Sequence, residues 1–177
     1  RRLARKGGVR LVLKGDVTKA HRRVKNRKVD WALQACRLEN LFEVFLNKVG
    51  TFGIASAAYW WHRLFGGIAR ISLHASQPNS EFWQLIFADD VIWMAQGPCA
   101  HIQILIALLV MMIFGTPFSD AKFAGGLEVE WVGYFLDVAK FGIGLSDKRA
   151  AWLANWLAET VAAKEALVGR IGDVLGR

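Results

Sequence analysis

The sequence predicts an α+β fold in which a mostly antiparallel sheet is covered on one face by two helices. Short segments rich in Val, Ile, Phe and Trp occur in pairs separated by turn residues, which is typical of antiparallel hairpins. Two longer segments, residues 54–74 and 102–114, have the length and the apolar content of helices. The chain has 177 residues, of which 54% are hydrophobic, so it can bury a core of its own.

The first half of the chain begins with a short apolar strand at Leu11–Leu13, which is expected to end near Asp16. Residues 31–36 and 41–46 predict a second hairpin, although their pattern also fits a helix. The helix at 54–74 starts with small side chains, namely Ala55, Ala57 and Ala58. These small side chains predict that a strand or a ligand approaches the start of the helix closely.

The middle of the chain contains two apolar segments, residues 82–86 and 91–94, which predict a hairpin with its turn between them. The next apolar run, residues 102–114, predicts a buried helix. This run is shorter than the roughly 20 residues that a membrane-spanning helix needs, so we expect no membrane role.

The C-terminal part of the chain predicts a strand, a turn and a helix. Residues 127–136 alternate between apolar and polar side chains, and residues 137–140 turn the chain back into a partner strand. Ser146 is a favourable N-cap for a last helix, which is expected to reach about Val168.

The positive charge of the chain is concentrated near its N-terminus. The net charge is +8, and twelve of the 23 Lys and Arg residues lie within residues 1–30, which hold only two acids. Such a segment favours polyanions such as nucleic acid, although a solvated basic tail is the plain alternative.

The cysteines and the N-terminus favour an intracellular location. Cys36 and Cys99 make no disulfide framework, and no second pair of Cys or His supports a zinc site. The basic N-terminus carries no apolar signal segment. Reduced intracellular thiols are therefore the simpler interpretation.

Asp89 and Asp90 lie between the two strands of the predicted central hairpin. Carboxylates at a turn can hold Mg²⁺, which is usually bound by one or two carboxylates together with phosphates and waters. Because side chains alternate along a strand, one acid can be the direct ligand and the other a supporting group. If the strand at 11–13 pairs with this hairpin, Asp16 stands beside Asp89 and three carboxylates converge. An ordinary polar turn is the alternative.

Five segments occur in a fixed order along the chain: Asp16–His21, Val49–Ala57, Phe87–Asp90, Phe114–Lys122 and Glu130–Leu136. Together they resemble the palm domain of reverse transcriptases, in the form found in eukaryotic retrotransposon-type elements. The resemblance covers roughly residues 10–145. It implies a palm at 1–145 with a basic arm at 1–10, and the start of a thumb helix at 146–177.

The resemblance implies RNA-directed DNA polymerase activity with two Mg²⁺ ions, for which Mn²⁺ can substitute. Asp16 and Asp89 are then the principal metal ligands, and Asp90 is the supporting catalytic acid. The implied substrates are dNTPs and an RNA or DNA template-primer. Other segments of a retroelement polyprotein are implied as partners.

The resemblance also assigns residues to the nucleotide. Backbone N–H groups at Lys19 and Ala20 are expected to meet the triphosphate. His21 stands where the family usually has a Tyr or Phe that crowds the sugar, and it is smaller than either. Lys122 is expected to approach the triphosphate, where it can act as a proton donor, with a solvated loop lysine as the alternative.

The remaining implied contacts are with the template and the primer. Phe52 and Gly53 are expected to flank the templating base pair. Trp131 and Gly133 lie in the segment that resembles the primer-binding hairpin, although Trp131 also suits core packing.

Only fifteen residues precede Asp16, so no fingers region is visible and we expect a piece of a larger polyprotein. A catalytically silent remnant that binds nucleic acid is therefore the second hypothesis. An unrelated Mg²⁺ phosphohydrolase is the third, and it explains the acids but not the ordered motifs around them.

Overall fold

The computed structural model describes residues 10–39, 42–51, 54–76 and 81–164. It divides the chain into two compact units, Arg1–Gly126 and Leu127–Arg177. Almost all of the predicted basic arm at 1–10 lies outside the described residues, as do Phe52 and Gly53. The predicted boundary between a palm at 1–145 and a thumb helix at 146–177 stays a prediction.

The described residues form nine strands and three α-helices. The strands are β1 (Arg10–Asp16), β2 (Ala35–Arg37), β3 (Val44–Leu46), β4 (Phe82–Phe87), β5 (Asp90–Gln96), β6 (Ala124–Gly125), β7 (Glu128–Trp131), β8 (Tyr134–Asp137) and β9 (Gly142–Leu145). The helices are α1 (Ala55–Ala75), α2 (Ala100–Ile113) and α3 (Asp147–Ala163).

The first unit is built on a four-stranded antiparallel sheet with the strand order β4-β5-β1-β6. β1 pairs with β5 over its whole length, so that Asp16 lies opposite Asp90. On its other side β5 pairs with β4, with Phe87 opposite Asp90, which forms the predicted central hairpin. The expected pairing of the first strand with this hairpin is therefore observed.

Helices α1 and α2 pack on one face of this sheet. The core contains Trp61 and Phe65 of α1, Ile104 of α2, and Val91 and Trp93 of β5, all of them buried. Val91 and Trp93 are two positions apart on one strand, so they point to the same face of the sheet. The α+β class with an antiparallel sheet and helices on one face is confirmed.

The predicted buried helix is present as α2, but it is buried on one face only. Its core-facing residues include Ile104, Ala107 and Met111. The outer side exposes about half of each of four apolar residues, namely Ile102, Leu105, Leu109 and Met112. Within the described ranges, no helix combines the length and apolar content that crossing a membrane requires.

The second predicted hairpin is present but shorter than expected. β2 pairs with β3, with Cys36 opposite Phe45. Residues 31–34 instead belong to a 3₁₀ helix, Lys28–Gln34. Trp31 donates a hydrogen bond from its indole nitrogen to the Asn26 carbonyl at 3.2 Å, which ties this helix to the preceding loop.

The second unit contains a three-stranded antiparallel sheet, β7-β8-β9, followed by α3. The predicted alternating strand is interrupted by a tight turn after Trp131, so it forms β7 and β8 rather than one strand. Ser146 is the N-cap of α3, as expected, but its side chain makes no capping hydrogen bond. The helix ends at Ala163, earlier than the predicted Val168.

Candidate active site

Three carboxylates converge where β1 ends and β5 begins. Asp16 is the last residue of β1 and lies directly opposite Asp90, the first residue of β5. Asp89 occupies the two-residue turn between β4 and β5. One ligand atom from each of these acids lies within 4.8 Å of the others. The expected convergence is therefore observed, while the roles of the three acids stay predictions.

The paired acids lie on the sheet face that points away from the helices. Asp90 is one position from the buried Val91, and side chains alternate along a strand. Because Val91 points into the core under α1 and α2, Asp90 and its partner Asp16 point to the opposite face of the sheet. All three acids are half-buried, so they are accessible without being fully solvated.

The turn that carries Asp89 is fixed by contacts from outside the hairpin. Ala88 has a left-handed backbone conformation with φ of 54°. Its carbonyl accepts a hydrogen bond of 3.0 Å from the indole nitrogen of Trp61 on α1. The Asp89 carbonyl accepts another, of 2.9 Å, from the Val17 amide just after β1. The turn is thus held to both the helical layer and the neighbouring strand.

The electrostatics of the cluster are unfavourable in the absence of a cation. Like charges directly opposite each other on neighbouring strands destabilise a sheet. Burial raises the pKa of the Asp90 carboxyl, and the charges of Asp16 and Asp89 raise it further. Lys14 and Lys122 oppose this effect and lower that pKa. A cation bound at this site would therefore reduce the repulsion between the three carboxylates.

Lys122 lies directly on this cluster. Its Nζ atom is 2.7 Å from Asp16 Oδ2, and the hydrogen bond to Asp16 raises the pKa of the lysine. The segment before it is held against the end of β1, because the Ser119 amide donates to the Asp16 carbonyl at 2.9 Å. The residue that was expected to approach a triphosphate thus contacts a candidate metal ligand.

An open cleft of about 440 Å³ is lined by two of the three acids, Asp16 and Asp90. Its lining residues are Lys14, Gly15, Asp16, Asp90, Ala121, Lys122, Phe123 and Ala124. Sequence reasoning missed Lys14, Phe123 and Ala124. Lys14 could have been found, because it lies two positions before Asp16 on the same strand and therefore on the same face.

Of the residues predicted to meet the nucleotide, Lys19, Ala20 and His21 directly follow the end of β1. Lys19 has a left-handed conformation with φ of 54° and precedes the 3₁₀ helix Ala20–Arg23. The side chain of Ala20 is buried in the core. Only the backbone of Ala20 can therefore serve a ligand, which agrees with the predicted type of contact.

The backbone of His21 is fixed by close packing against the start of α1. A Cβ atom at Gly50 would lie 2.5 Å from the His21 carbonyl oxygen and 2.6 Å from the Ala57 Cβ. Only glycine fits between these two groups. The small residue at Ala57 thus permits the close approach that the sequence predicted at this helix start.

Trp131 and Gly133 lie in the second unit, in the turn between β7 and β8. Val132 and Gly133 both have positive φ, 50° and 75°, which is the pattern of the tight type I′ hairpin turn. A Cβ at Gly133 would collide with the side chain of Arg149. Trp131 is half-buried, and its indole nitrogen has no hydrogen-bond partner among the described residues. A role in primer binding stays a prediction.

The donor set of the first unit fits a hard divalent cation. Carboxylate oxygens are the ligands that Mg²⁺ and Mn²⁺ prefer. Asp16, Asp89 and Asp90 offer such oxygens close together, and Asp16 and Asp90 also line the open cleft. These three residues could hold a metal ion.

An antiparallel sheet with helices on one face and acids at a hairpin turn defines a polymerase palm-like α+β fold. Comparison with solved structures agrees. The chain is similar to a foamy viral protease-reverse transcriptase in complex with an RNA/DNA hybrid, with a TM-score of 0.64 and 14% identity. It is also similar to the dRH form of that protein in complex with double-stranded DNA, with a TM-score of 0.68 and 14% identity.

These similarities concern the fold. The first covers 82% of this chain and 18% of the viral chain, and the second covers 98% and 28%. The chain therefore spans less than a third of either neighbour. No family model matches the sequence, and a search of curated proteins finds no match. The chain has a reverse-transcriptase-like fold.

Proposed function

We propose that this chain is the palm of an RNA-directed DNA polymerase, which transfers dNTPs onto a primer 3′-hydroxyl with the help of Mg²⁺. The observation that carries the proposal is the convergence of Asp16, Asp89 and Asp90 at one end of the central strands of a reverse-transcriptase-like sheet. The similar viral chains were solved with an RNA/DNA hybrid and with double-stranded DNA, which supports nucleic acid as the partner.

In the proposed reaction the primer 3′-hydroxyl loses its proton to solvent and its oxygen forms a bond to the α-phosphorus of the dNTP. The bond from the α-phosphorus to the oxygen that bridges to the β-phosphorus breaks, and pyrophosphate leaves. Asp16 and Asp89 would hold the divalent ions, and Asp90 would support them from the opposite strand. The bound ions would supply activation of the hydroxyl and neutralisation of the phosphates. The contribution of the protein is mostly positioning and electrostatics.

The residues after β1 would bind the incoming nucleotide. The backbone N–H groups at Lys19 and Ala20 would face the triphosphate, and His21 would lie against the sugar. Lys122, which lines the cleft beside Asp16, would also approach the phosphates. Phe52 and Gly53 would flank the templating pair, and Trp131 and Gly133 would contact the primer.

The proposed origin is a eukaryotic retrotransposon-type element, with this chain as one piece of a polyprotein. The ordered motifs at residues 16–21, 87–90 and 114–122 support it. Residues 1–145 would form the palm and residues 146–177 the start of the thumb. The basic residues near the N-terminus would strengthen binding to the phosphate backbone.

Primer extension on poly-rA annealed to oligo-dT tests the proposal. We expect extension in Mg²⁺ or Mn²⁺ that is abolished in both Asp16→Asn and Asp89→Asn, because each variant loses a carboxylate ligand. The matched control is Glu159→Gln, an exposed acid on α3 outside the cluster, which should extend like the parent chain. Extension that survives both cluster substitutions would sink the proposed site.

A catalytically silent protein that binds nucleic acid is the second candidate. The observation that favours it is the contact of Lys122 with Asp16, since an ammonium group already neutralises one candidate metal ligand. Salt-dependent binding of a template-primer with no synthesis in either metal would favour this alternative.

A further inference from the structure

Lys122 occupies the position of a counter-cation in the acid cluster. Its ammonium group donates a 2.7 Å hydrogen bond to Asp16, whose side chain is only 16% exposed. The charges of Asp89 and Asp90 also act on this lysine. Lys122 therefore places positive charge among three converging carboxylates, as a bound divalent cation would.

This ion pair differs from an ordinary surface salt bridge. Exposed pairs usually contribute little, because water screens both charges. Here the carboxylate is largely shielded, and two more acids lie within 4.8 Å of it. The attraction between Lys122 and Asp16 offsets repulsion that the sheet register itself creates by placing Asp16 opposite Asp90.

The side chain of Lys122 can move away from Asp16 while its backbone stays in place. Its side chain is 62% exposed, whereas its backbone is fixed by a 3.0 Å hydrogen bond from the Lys122 amide to the Ser119 carbonyl. Rotation of the side chain alone can release Asp16. The freed ammonium group would remain at the rim of the same cleft, where an anionic phosphate could take the place of the carboxylate.

We propose that Lys122 and a divalent cation compete for Asp16, so that Lys122 holds the acids together before the cation binds and is released when it arrives. This inference rests on the proposed function, because it takes the acid cluster as the metal site. It assigns Lys122 as a positioning residue whose departure from Asp16 accompanies metal loading.

A titration of the full chain with Mn²⁺, followed by the electron paramagnetic resonance signal of the free ion, tests the competition. We expect Lys122→Met to bind Mn²⁺ about tenfold more tightly than the parent chain, since one competing unit charge at contact distance is worth roughly that factor at a partly exposed site. Lys122→Arg should keep the weaker affinity because it retains the cation.

The matched control is Lys140→Met. Lys140 also pairs with an aspartate, Asp137, at 3.2 Å, but among the described residues no acid cluster includes that aspartate. We therefore expect its Mn²⁺ affinity to equal that of the parent chain.

Thermal unfolding supplies a readout that needs no enzymatic activity. Without metal, Lys122→Met should unfold at a lower temperature than the parent chain, because the acids lose their counter-cation. Saturating Mn²⁺ should raise its unfolding temperature more than it raises that of the parent.

Equal or weaker Mn²⁺ binding by Lys122→Met would overturn the competition, even if the parent chain extends a primer and the proposed function stands. If none of these chains binds Mn²⁺ at millimolar concentration, both the competition and the metal-dependent function fail.

Discussion

Two aspartates at the ends of hairpin strands, Asp90 and Asp137, have opposite electrostatic environments. Burial, Asp16 and Asp89 raise the pKa of Asp90. Hydrogen bonds from the Lys140 backbone and side chain lower the pKa of Asp137. The first acid lies among like charges at the start of β5, and the second accepts a 2.8 Å hydrogen bond from the Lys140 amide at the end of β8.

The ionised carboxylate of Asp137 stabilises the folded chain, whereas that of Asp90 destabilises it. Asp137 closes its own turn, and its negative charge is satisfied by residues three positions away. Asp90 gains little from its neighbours and is accompanied by two more carboxylates. An arrangement that lowers stability yet gathers ligand atoms is typical of a functional site.

The largest expected effect is on primer extension. Asp90→Asn should lower the rate by about 10- to 100-fold, the usual loss when a group that supports a metal ligand is removed. Asp137→Asn should stay within about twofold of the parent chain, because it supplies no group to the acid cluster. A steady-state extension assay measures both. Equal losses in the two variants would remove the distinction between the acids.

The next largest effect concerns the anchor of the acid-bearing turn. Trp61→Phe leaves the Ala88 carbonyl without its 3.0 Å donor and leaves space in the core, so we expect a loss of about 2 kcal/mol in unfolding free energy. Trp60→Phe on the exposed side of the same helix is the control and should change stability by less than about 0.5 kcal/mol. Urea denaturation measures both, and similar losses would show that the anchor is unimportant.

The dependence of stability on pH should have opposite signs for the two acids. A raised folded-state pKa gives stability that is present below the ordinary aspartate range near 3.8 and is lost as the pH rises through the folded value. Asp90→Asn should therefore stabilise the metal-free protein at pH 7 and have no effect at pH 3.

The lowered pKa of Asp137 gives stability that is present above the ordinary range and is lost as the pH falls through the folded value. Asp137→Asn should therefore destabilise the protein at pH 7, and the loss should shrink in acid. Urea midpoints at pH 7 and pH 3 decide the signs for both variants. A stability gain from Asp137→Asn at pH 7 would contradict the conclusion that the ionised Asp137 carboxylate stabilises the folded chain.

The smallest expected effect is at the turns themselves. Ala88→Gly should stabilise the chain by about 0.5 kcal/mol, because glycine removes the cost of a left-handed alanine but adds freedom to the unfolded chain. Gly133→Ala should destabilise it, since the new Cβ would meet the Arg149 side chain. Thermal unfolding of both variants measures these changes. A shift of the unfolding temperature in the same direction for both variants would contradict the expected difference between the two turns.

Much of the site was predictable, because strand pairing follows from the alternation of side chains along each strand and from the order of the strands in the sequence. The segment at 11–13 and the acid-bearing hairpin predicted both the central sheet and the meeting of Asp16 with Asp89 and Asp90. The contact between Lys122 and Asp16 was not predictable, because it depends on how the loop after α2 is held by the Ser119 amide. The half-exposed α2 was missed because an apolar run does not reveal which of its faces is covered.

The register that places Asp16 opposite Asp90 also affects the order of folding. β4 and β5 are neighbours in the sequence, so their hairpin can form early from local contacts. β1 is separated from β5 in the sequence by a segment that includes all of α1. Pairing the two strands therefore closes a long loop, which costs entropy before any contact between them forms. We therefore expect β1, which brings Asp16 opposite Asp90, to dock only after the β4–β5 hairpin has formed. We expect the repulsion between Asp16 and Asp90 to slow the docking of β1 as well as to lower the stability of the folded chain. The acid cluster therefore also lengthens the time that the chain needs to fold.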